Sequence, residues 1–275
     1  MPELPEVETI RRELEPELIG RRIERLRVRR PDILLGPWTP GRFRQAVEGA
    51  TIGRVERRGK SLAFHLDRDR VLEVQVRMTG RFAVGRILAC PAEFRHIAAE
   101  FDLSGGRTLF YDDVRRLGGF QLLDTAGWER RTRRLGPEPL EPGFTARRLA
   151  AAFEGSRAPV KNLLLDQSRL AGVGNIYASE SLHMASIDPR RPARELREEE
   201  IRRLHRALRR VLRQALESAG TTFRDYRSVN GRPGGFQRRL RVYGREGQGC
   251  RRCATPIRRI VQAGRSSFFC PACQR

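Results

Sequence analysis

Four of the five cysteines of this chain lie near the end of the sequence, in the spacing C-x2-C-x16-C-x2-C. This spacing is typical of a tetrahedral zinc site. A disulfide framework is the alternative, but nothing in the sequence indicates secretion, and cytosolic thiols stay reduced. Because sulfur would fill all four positions, the sequence predicts one structural zinc ion, held by Cys250, Cys253, Cys270 and Cys273. The fifth, Cys90, is expected to be a buried or half-buried thiol.

The segment between the two cysteine pairs reads ATPIRRIVQAGRSSFF. It predicts a strand, a turn at Ala263–Gly264 and a second strand. The result would be a zinc-held β-hairpin with Arg265 next to its tip. A rigid hairpin that presents an arginine suits a DNA groove or a phosphate.

The chain carries 55 lysines and arginines against 33 acidic residues, a formal net charge of +22. There is no apolar run of about 18 residues, as a membrane helix would need, and the charged first 20 residues do not read as a signal peptide. A polyanion, and among polyanions nucleic acid, is therefore the expected partner. The alternative is a solvated, arginine-rich surface, which accounts for part of the charge because arginines occur along the whole chain.

Only two of the 55 cationic residues are lysines, Lys60 and Lys161. Arginine stays protonated, whereas lysine can lose its proton when its surroundings lower its pKa. A chain that uses arginine so consistently is expected to keep lysine where a compact or titratable amine is needed. The alternative is chance, since two residues are a small sample.

The chain begins MPELPEVETI, and Val7, Ile10 and Leu14 have helical spacing. Proline and acidic residues are favoured in a first helical turn, so the sequence predicts a helix here. A helix start does not explain why the very first residues should follow so specific a pattern, since chain ends are usually poorly ordered.

Residues 21–125 show the alternation of β-strands, with a hairpin turn at LSGGRT (103–108). This pattern indicates a sandwich or barrel with a helix at its start. The proline-rich segment 135–143 is a predicted linker. Residues 201–215 carry one apolar stripe, which predicts a helix that stops near Gly220. The segment 220–244 is a long loop, of the kind that is often functional.

Gly172 and Gly174 directly precede a short predicted helix that begins near Asn175. A glycine-rich turn before a helix start presents backbone N–H groups to an anion. In a chain of charge +22, this arrangement makes a phosphate contact plausible. The alternative is an ordinary corner between two helices.

Taken together and in order, the motifs resemble those of bacterial formamidopyrimidine-DNA glycosylase, the bifunctional base-excision enzyme for oxidised purines. The match spans essentially the whole chain. The motifs are PELPEVET (2–9), RRGK (57–60), MTG (78–80), DQSRLAGVGNIYASE (166–180), PGGFQ…VYGREG (233–247) and GRSSFFCPACQ (264–274).

The resemblance implies an α+β protein with an N-terminal β-sandwich and helix, a helix–two-turn–helix domain and a C-terminal β-hairpin zinc finger. The implied domains are a catalytic domain (1–134), a helical DNA-binding domain (135–228) and the end of the lesion loop with the zinc finger (229–275). The implied partner is double-stranded DNA with oxidised purines or abasic sites, bound by a monomer between its two halves. We expect a cytoplasmic, nucleoid-associated protein.

The resemblance also implies a role for the first residues of the chain. Once the initiator methionine is removed, Pro2 carries the terminal amine, the family's nucleophile, which attacks C1′ of the damaged nucleotide and forms a Schiff base. Glu3 is implied as general acid and base at the sugar. Lys60 is implied in phosphate binding and β-elimination, and Arg265 in δ-elimination and phosphate clamping. We expect Glu6 to support the site rather than to donate a proton.

Further residues fall on positions that the family uses toward DNA. Met78, Arg115 and Leu117 match the three residues that fill the space left by the extruded base. The loop over that base matches Thr221, Phe223, Arg224, Asp225 and Tyr226. The other implied DNA contacts are His96, Arg157, Lys161, Asn175 and Tyr243.

The chain departs from the family pattern at three positions. Leu117 stands where phenylalanine is usual, Gln75 where a phosphate-binding histidine is common, and Ala219 where a glycine usually opens the lesion-binding loop. Leucine can still wedge between bases but gives up aromatic stacking of about 1–3 kcal/mol. For His96, a histidine packed within a strand is the alternative to a DNA contact.

Three other functions compete with this interpretation. Endonuclease VIII shares fold and mechanism but prefers oxidised pyrimidines; it typically has glycine where Leu4 stands and generally lacks the long lid. A non-catalytic, zinc-containing DNA-binding protein would not need the Pro2–Glu3 pair, Lys60 or Arg265. A ribosome-associated basic protein would account for the charge but not for the terminus.

Overall fold

The structure, a computed structural model, describes residues 2–86, 92–222 and 226–275. Its internal contacts divide the chain into two compact units. The first unit comprises Met1–Arg133 and Ser218–Gly235, and the second comprises Arg134–Glu217 and Phe236–Arg275. The first unit is therefore discontinuous in sequence, since it includes a segment that follows the helical region.

The first unit begins with helix α1, Leu4–Leu18, as the sequence predicts. Pro5 lies in its first turn, where the missing N–H costs nothing, and Glu3 is the N-cap residue. Glu6, three residues later, completes a reciprocal capping box with Glu3. The buried stripe of the helix consists of Leu4, Val7, Ile10, Leu14 and Leu18.

Two antiparallel four-stranded sheets follow in the described part of the first unit. One has the order β1-β6-β7-β5 and the other the order β2-β3-β4-β8. The helices α2 (Pro40–Val47) and α3 (Thr125–Thr132) accompany them. The strands are β1 (Ile23–Val28), β2 (Ile52–Arg58), β3 (Ser61–Leu66), β4 (Arg70–Gln75), β5 (Gly80–Arg86), β6 (Ile97–Leu103), β7 (Arg107–Asp113) and β8 (Gly119–Leu123).

Aromatic side chains from the two sheets meet in one core. The rings of Phe64 on β3 and Phe82 on β5 are 6.1 Å apart, and those of Tyr111 on β7 and Phe120 on β8 are 4.8 Å apart. Such contacts connect the inner faces of two sheets, so the predicted sandwich is confirmed. The predicted hairpin at 103–108 is confirmed as well, because β6 ends at Leu103 and β7 begins at Arg107.

The second unit contains the helices α4 (Ala146–Phe153), α5 (Val160–Leu165), α6 (Asn175–Ala185) and α7 (Glu198–Glu217). Helices α5 and α6, joined by residues 166–174, form the helix–two-turn–helix element. Helix α7 confirms the predicted apolar stripe, whose buried members include Leu204, Leu208, Val211 and Leu212. It ends before Gly220, and the first residue after it in the left-handed region is Ala219, at φ 53°.

The predicted hairpin of the finger is present as β9 (Arg258–Gln262) and β10 (Arg265–Phe269). Gln262 pairs with Arg265, so the turn consists of Ala263 and Gly264. Both have positive φ, 46° and 72°, as a two-residue type I′ turn requires.

In the described part of the chain, no helix is both long and apolar enough to cross a membrane. Cys90 and the loop residues Phe223, Arg224 and Asp225 lie outside the described residues.

Candidate active site, DNA-contacting residues and metal centre

The N-terminal residues of the first unit are buried and held in place. Pro2 is buried, Glu3 is 3% exposed and Glu6 is 1% exposed. Glu6 Oε2 accepts a hydrogen bond from the backbone N–H of Glu3 at 2.8 Å. The residue that follows Pro2 therefore has a fixed backbone, which a frayed terminus would not provide.

The other oxygen of the same carboxylate binds the loop predicted to lie over the lesion. Glu6 Oε1 accepts a hydrogen bond from the backbone N–H of Thr221 at 2.7 Å. The hydroxyl of Tyr226 donates to the Glu6 carbonyl at 3.4 Å. Both described ends of the loop thus contact Glu6. Burial raises the pKa of Tyr226, and the Glu6 charge adds to that rise, so the phenol stays protonated.

Lys60 lies in the turn between β2 and β3 and is half-buried. Gly59 before it is buried and has a φ of 58°. Arg57 connects this turn to the first helix: it donates to the Gly59 carbonyl at 2.9 Å and contacts Glu8 at 3.1 Å. Burial raises the pKa of Glu8, but hydrogen bonds from Arg11 and its neighbours outweigh it, and the net shift is downward.

The three residues predicted to fill the space of an extruded base lie on two neighbouring loops of the first unit. The side chains of Met78 and Leu117 are unusually exposed for apolar residues, at 41% and 46%. Arg115 is exposed too, and its Nη1 lies 3.5 Å from Met78 Sδ. The structure therefore places two apolar side chains and one guanidinium where solvent reaches them.

A buried carboxylate at the end of β7 holds these two loops together. Asp113 is fully buried, and its Oδ1 accepts a hydrogen bond from Thr79 Oγ1 at 2.5 Å. Its Oδ2 accepts the N–H of Gly118 at 2.8 Å, and the backbone N–H of Arg115 donates to Thr79 Oγ1 at 3.2 Å. A Cβ at Gly118 would lie 1.9 Å from the hydroxyl of Tyr111, so only glycine fits there.

A cavity of about 590 Å³ lies next to this pair of loops. Thr79 and Val114 border it, as do Phe82 on β5 and the segment 227–231 that follows the lesion loop. It is large enough for a nucleobase.

His96 is exposed and directly precedes β6. Its backbone N–H donates to Asp112 Oδ1 at 2.5 Å, which leaves the imidazole at the surface. The alternative of a histidine packed within a strand is therefore wrong. The side chain of Gln75 forms a hydrogen bond within its own strand, where its Nε2 donates to Glu73 Oε1 at 3.3 Å.

In the second unit, Lys161 and Asn175 hold the hairpin of the finger. Lys161 is 1% exposed, and its Nζ donates to the carbonyl of Ser266 at 2.9 Å and to Ser267 Oγ at 2.7 Å. Asn175 Nδ2 donates to the same Ser266 carbonyl at 2.9 Å. Both residues thus bind the strand next to Arg265, whose own side chain is exposed. Their predicted contact with phosphate stays a prediction.

Tyr243 is fixed through its backbone by Glu180 on α6. This carboxylate is 2% exposed and accepts three backbone hydrogen bonds, from Arg241 at 2.8 Å, Val242 at 2.9 Å and Tyr243 at 2.8 Å. Burial raises the pKa of Glu180, although the three N–H groups oppose the rise. Arg157, the remaining predicted DNA contact, is exposed in the turn between α4 and α5.

The four cysteines of the finger form a cluster that fits a zinc ion. Their sulfur atoms all lie within 4.8 Å of one another. Three of the separations are 3.3, 3.4 and 4.0 Å. A tetrahedral site with Zn–S bonds of about 2.3 Å needs sulfur separations of about 3.8 Å. The ligands available are four sulfurs, so the ion is structural.

Three family models match the chain in succession. They are the formamidopyrimidine-DNA glycosylase N-terminal domain over residues 1–120, the formamidopyrimidine-DNA glycosylase H2TH domain over residues 135–227, and a zinc finger found in FPG and IleRS over residues 247–275. The chain belongs to the formamidopyrimidine-DNA glycosylase family.

Full-length relatives agree with this assignment. The formamidopyrimidine-DNA glycosylase of Thermomicrobium roseum is 47% identical and aligns over 100% of this chain and 99% of its own length. The MutM (FPG) protein of Thermus thermophilus is 44% identical, with a TM-score of 0.87 over 99% of this chain and 98% of its own. A Lactococcus lactis FPG mutant, solved with Fapy-dG-containing DNA, is 34% identical, with a TM-score of 0.91 over the full length of both chains.

The family assignment confirms the fold class, the enzyme class and the zinc finger that the sequence predicts. It does not by itself assign roles to individual side chains. Two buried carboxylates that organise the predicted site, Asp113 and Glu180, were not expected from the sequence. Glu180 ends the motif DQSRLAGVGNIYASE, and Asp113 lies in the segment DDVRRLGG (112–119) that also contains Arg115 and Leu117. The role of both depends on backbone N–H groups that only the fold brings to them.

Proposed function

We propose that this member of the formamidopyrimidine-DNA glycosylase family excises oxidised purines from duplex DNA through the amine of Pro2 and then cuts the strand by β,δ-elimination. The observation that carries the proposal is the contact of one carboxylate, Glu6, with the backbone of Glu3 and of Thr221. That contact fixes the residue next to the nucleophile and the start of the loop over the lesion. The contact with Glu3 is also the capping box of α1, but the contact with Thr221 joins this helix start to a loop far away in the sequence, which a packed helix alone does not need.

A terminal amine suits this chemistry. At pH 7, an α-amine with a pKa of about 7.8 is roughly 14% unprotonated, whereas a lysine at about 10.4 is roughly 0.04% unprotonated. The amine of Pro2 attacks C1′ as the bond from C1′ to the base breaks, and the base leaves with a proton. The amine then loses its proton, and the bond from C1′ to O4′ breaks as O4′ is protonated, which opens the sugar ring and leaves an iminium between C1′ and the Pro2 nitrogen. Because the amine is secondary, this iminium has no N–H proton to lose, and it stays an electron sink for elimination.

The other catalytic residues act on protons and phosphates. We assign Glu3 as the group that takes and returns protons at the sugar. Lys60 binds the phosphate near the lesion and assists β-elimination, in which the bond from C3′ to the phosphate oxygen breaks. Arg265 serves the following δ-elimination, which breaks the bond at C5′. These roles rest on the family resemblance together with the placement of Lys60 in a turn held by Arg57.

An enzyme that acts on a base takes it out of the stack. We assign Met78, Arg115 and Leu117 to the space that it leaves, because their exposed side chains lie on loops fixed by Asp113. We place the extruded base in the adjacent cavity, which the segment 227–231 borders.

The partner is double-stranded DNA with oxidised purines or abasic sites, contacted also by His96, Arg157, Lys161, Asn175 and Tyr243. The L. lactis relative has been solved with DNA containing Fapy-dG, with DNA containing an abasic site and with DNA containing an oxidised pyrimidine. An endonuclease VIII-like preference for oxidised pyrimidines is therefore the alternative substrate class to test. The monomeric state, the nucleoid location and the three-domain division stay predictions.

Borohydride trapping tests the proposal. The protein, with removal of its initiator methionine verified, is mixed with duplexes containing 8-oxoguanine opposite cytosine, an abasic site, an oxidised pyrimidine or no lesion. We expect a crosslink with the first two, mapped by mass spectrometry to the Pro2 amine, and none with the undamaged duplex. An adduct on Lys60 or Lys161 would refute the assigned nucleophile. DNA binding with no adduct on any duplex would refute the chemistry.

A further inference from the structure

His183 on α6 lies beside the zinc site although it is not one of its ligands. The imidazole is 1% exposed, and its Nε2 lies 3.5 Å from Cys250 Sγ. The same sulfur also accepts the backbone N–H of Arg252 at 3.4 Å. Cys250 is thus contacted by two nitrogen atoms, one from its own loop and one from the helix–two-turn–helix element.

The chemistry of the cluster decides which ring nitrogen carries the proton. A cysteine that binds zinc is a thiolate and can only accept hydrogen bonds. An imidazole nitrogen next to it must therefore donate, which places the proton of the neutral ring on Nε2. In the described structure the other ring nitrogen, Nδ1, has no hydrogen-bond partner, so Cys250 is the only group that fixes the ring's tautomer.

The surroundings favour extra negative charge on the sulfur atoms. A zinc ion with four thiolates has a net charge of −2. A cavity of about 460 Å³ beside His183 is lined by the guanidinium-bearing residues Arg238, Arg239, Arg241, Arg251 and Arg252. Among the described residues, none of these five guanidinium groups has a carboxylate oxygen within 4.0 Å, although the backbone N–H of Arg241 donates to Glu180. The hydrogen bond from His183 therefore acts in a region where positive charge already exceeds negative.

We propose that His183 is a positioning residue of the zinc site, whose Nε2–H donates to the Cys250 thiolate and fastens the finger to α6. The hydrogen bond spreads charge away from the sulfur, which makes the thiolate a weaker nucleophile and lowers the rate at which it is oxidised or protonated. It also fixes the orientation of a ligand that a flexible loop would otherwise hold alone. Loss of such an outer-shell partner typically lowers metal affinity 10- to 100-fold.

Zinc affinity, measured by competition with a chromophoric chelator, tests the proposal without reference to enzyme activity. His183→Phe fills the space but has no donor, whereas His183→Gln retains an N–H near the position of Nε2. His205→Phe is the control, because His205 is the histidine of α7 and binds the Phe144 carbonyl at 2.9 Å instead. We expect His183→Phe to lose zinc affinity 10- to 100-fold, and the other two variants to stay within about threefold of the parent protein.

Two outcomes would overturn the proposal. If folded His183→Phe retains zinc within about threefold of the parent protein, the hydrogen bond has no role in the site. If His183→Gln loses as much affinity as His183→Phe, shape rather than donation matters.

The unaltered protein offers a direct measurement that does not depend on whether a variant folds. Loaded with cadmium-113, it should show a scalar coupling between the metal and the Nε2 proton of His183, transmitted through the hydrogen bond and the Cys250 sulfur. A spectrum in which only the cysteine protons and the Arg252 amide couple to the metal would overturn the assignment.

Discussion

Glu6 and Thr221 are 215 residues apart in sequence, yet Glu6 Oε1 accepts the backbone N–H of Thr221 at 2.7 Å. The other oxygen of the carboxylate binds the N–H of Glu3. One buried side chain therefore connects the terminal residues to the start of the loop that we propose lies over the lesion. Any change at Glu6 should affect both ends of this connection at once.

Glu6→Gln tests this coupling. Glutamine offers one acceptor oxygen, so its amide group must face one of the two N–H donors, at a cost of about 1–3 kcal/mol in stability. We expect a lower unfolding free energy in denaturant titration and at least a tenfold slower formation of the borohydride-trapped complex. Glu13→Gln is the control, since Glu13 accepts an exposed backbone N–H from the same loop region, that of Asn230, at 3.3 Å. Equal effects of the two substitutions would contradict the special role of Glu6.

Ala219→Gly should stabilise the protein. Ala219 has a φ of 53°, a left-handed conformation that costs a residue with a Cβ about 1–2 kcal/mol. Glycine relieves that cost but gains unfolded-state entropy, so the net increase in unfolding free energy is about 0.5–1 kcal/mol. Ala151→Gly, at an exposed position within α4, should instead lower it by roughly 0.5–1 kcal/mol. Denaturant titration of both variants checks the signs, and a loss of stability in Ala219→Gly would refute the argument.

Asp113→Asn should separate lesion excision from DNA binding. The amide nitrogen would face either the N–H of Gly118 or the hydroxyl of Thr79, and the loops that carry Met78 and Arg115 would loosen. We expect single-turnover excision of 8-oxoguanine to fall at least tenfold, while affinity for undamaged duplex changes less than about threefold. Asp124→Asn is the control, because Asn caps a helix as well as Asp does. A normal excision rate in Asp113→Asn would show that the loops do not need this support.

Glu200 should make stability depend on pH. A hydrogen bond from Arg191 and the N–H of Arg197 lower its pKa to about 2, although burial opposes the shift. The folded pKa lies below the unfolded value of about 4.5, so the stabilisation is complete above pH 4.5 and is lost as pH falls toward 2. Glu200→Gln should lower the unfolding free energy by about 1–3 kcal/mol at pH 7 and by almost nothing at pH 2.

The control for this pH dependence is Glu198→Gln. Glu198 lies in the same helix and pairs with Arg202, but its side chain is 80% exposed. Such surface pairs contribute little, so this variant should match the parent protein at both pH values. A difference between parent and Glu200→Gln that persists unchanged at pH 2 would contradict the assigned pKa.

Local patterns in the sequence were sufficient to predict individual elements of the fold. The helix at Val7–Leu14, the Ala263–Gly264 turn and the cysteine spacing each depend on residues close in sequence, and the structure confirms all three. The supporting carboxylates could not be predicted in the same way. Glu180 receives N–H groups from residues 61 to 63 positions away, and backbone donors carry no sequence signal.

Lys161 also shows what the sequence alone cannot predict about a side chain's surroundings. Its rarity in an arginine-rich chain predicts a position that needs a compact or titratable amine, and the side chain is buried against Ser266 and Ser267. A compact ammonium with three donors fits between a carbonyl and a hydroxyl, where a planar guanidinium would not. Composition could indicate that an amine was needed, but not which groups would surround it.

The discontinuity of the first unit has a consequence for how the protein is made. A ribosome completes Glu6 about 215 residues before it reaches Thr221, which at roughly 5–20 residues per second is a delay of about 10–40 s. The N-terminal helix start is thus synthesised first, and Glu6 gains the N–H of Thr221 only near the end of translation. A chain that stops before Ser218 would have Pro2, both sheets and the Lys60 turn, but not the segment that Glu6 binds.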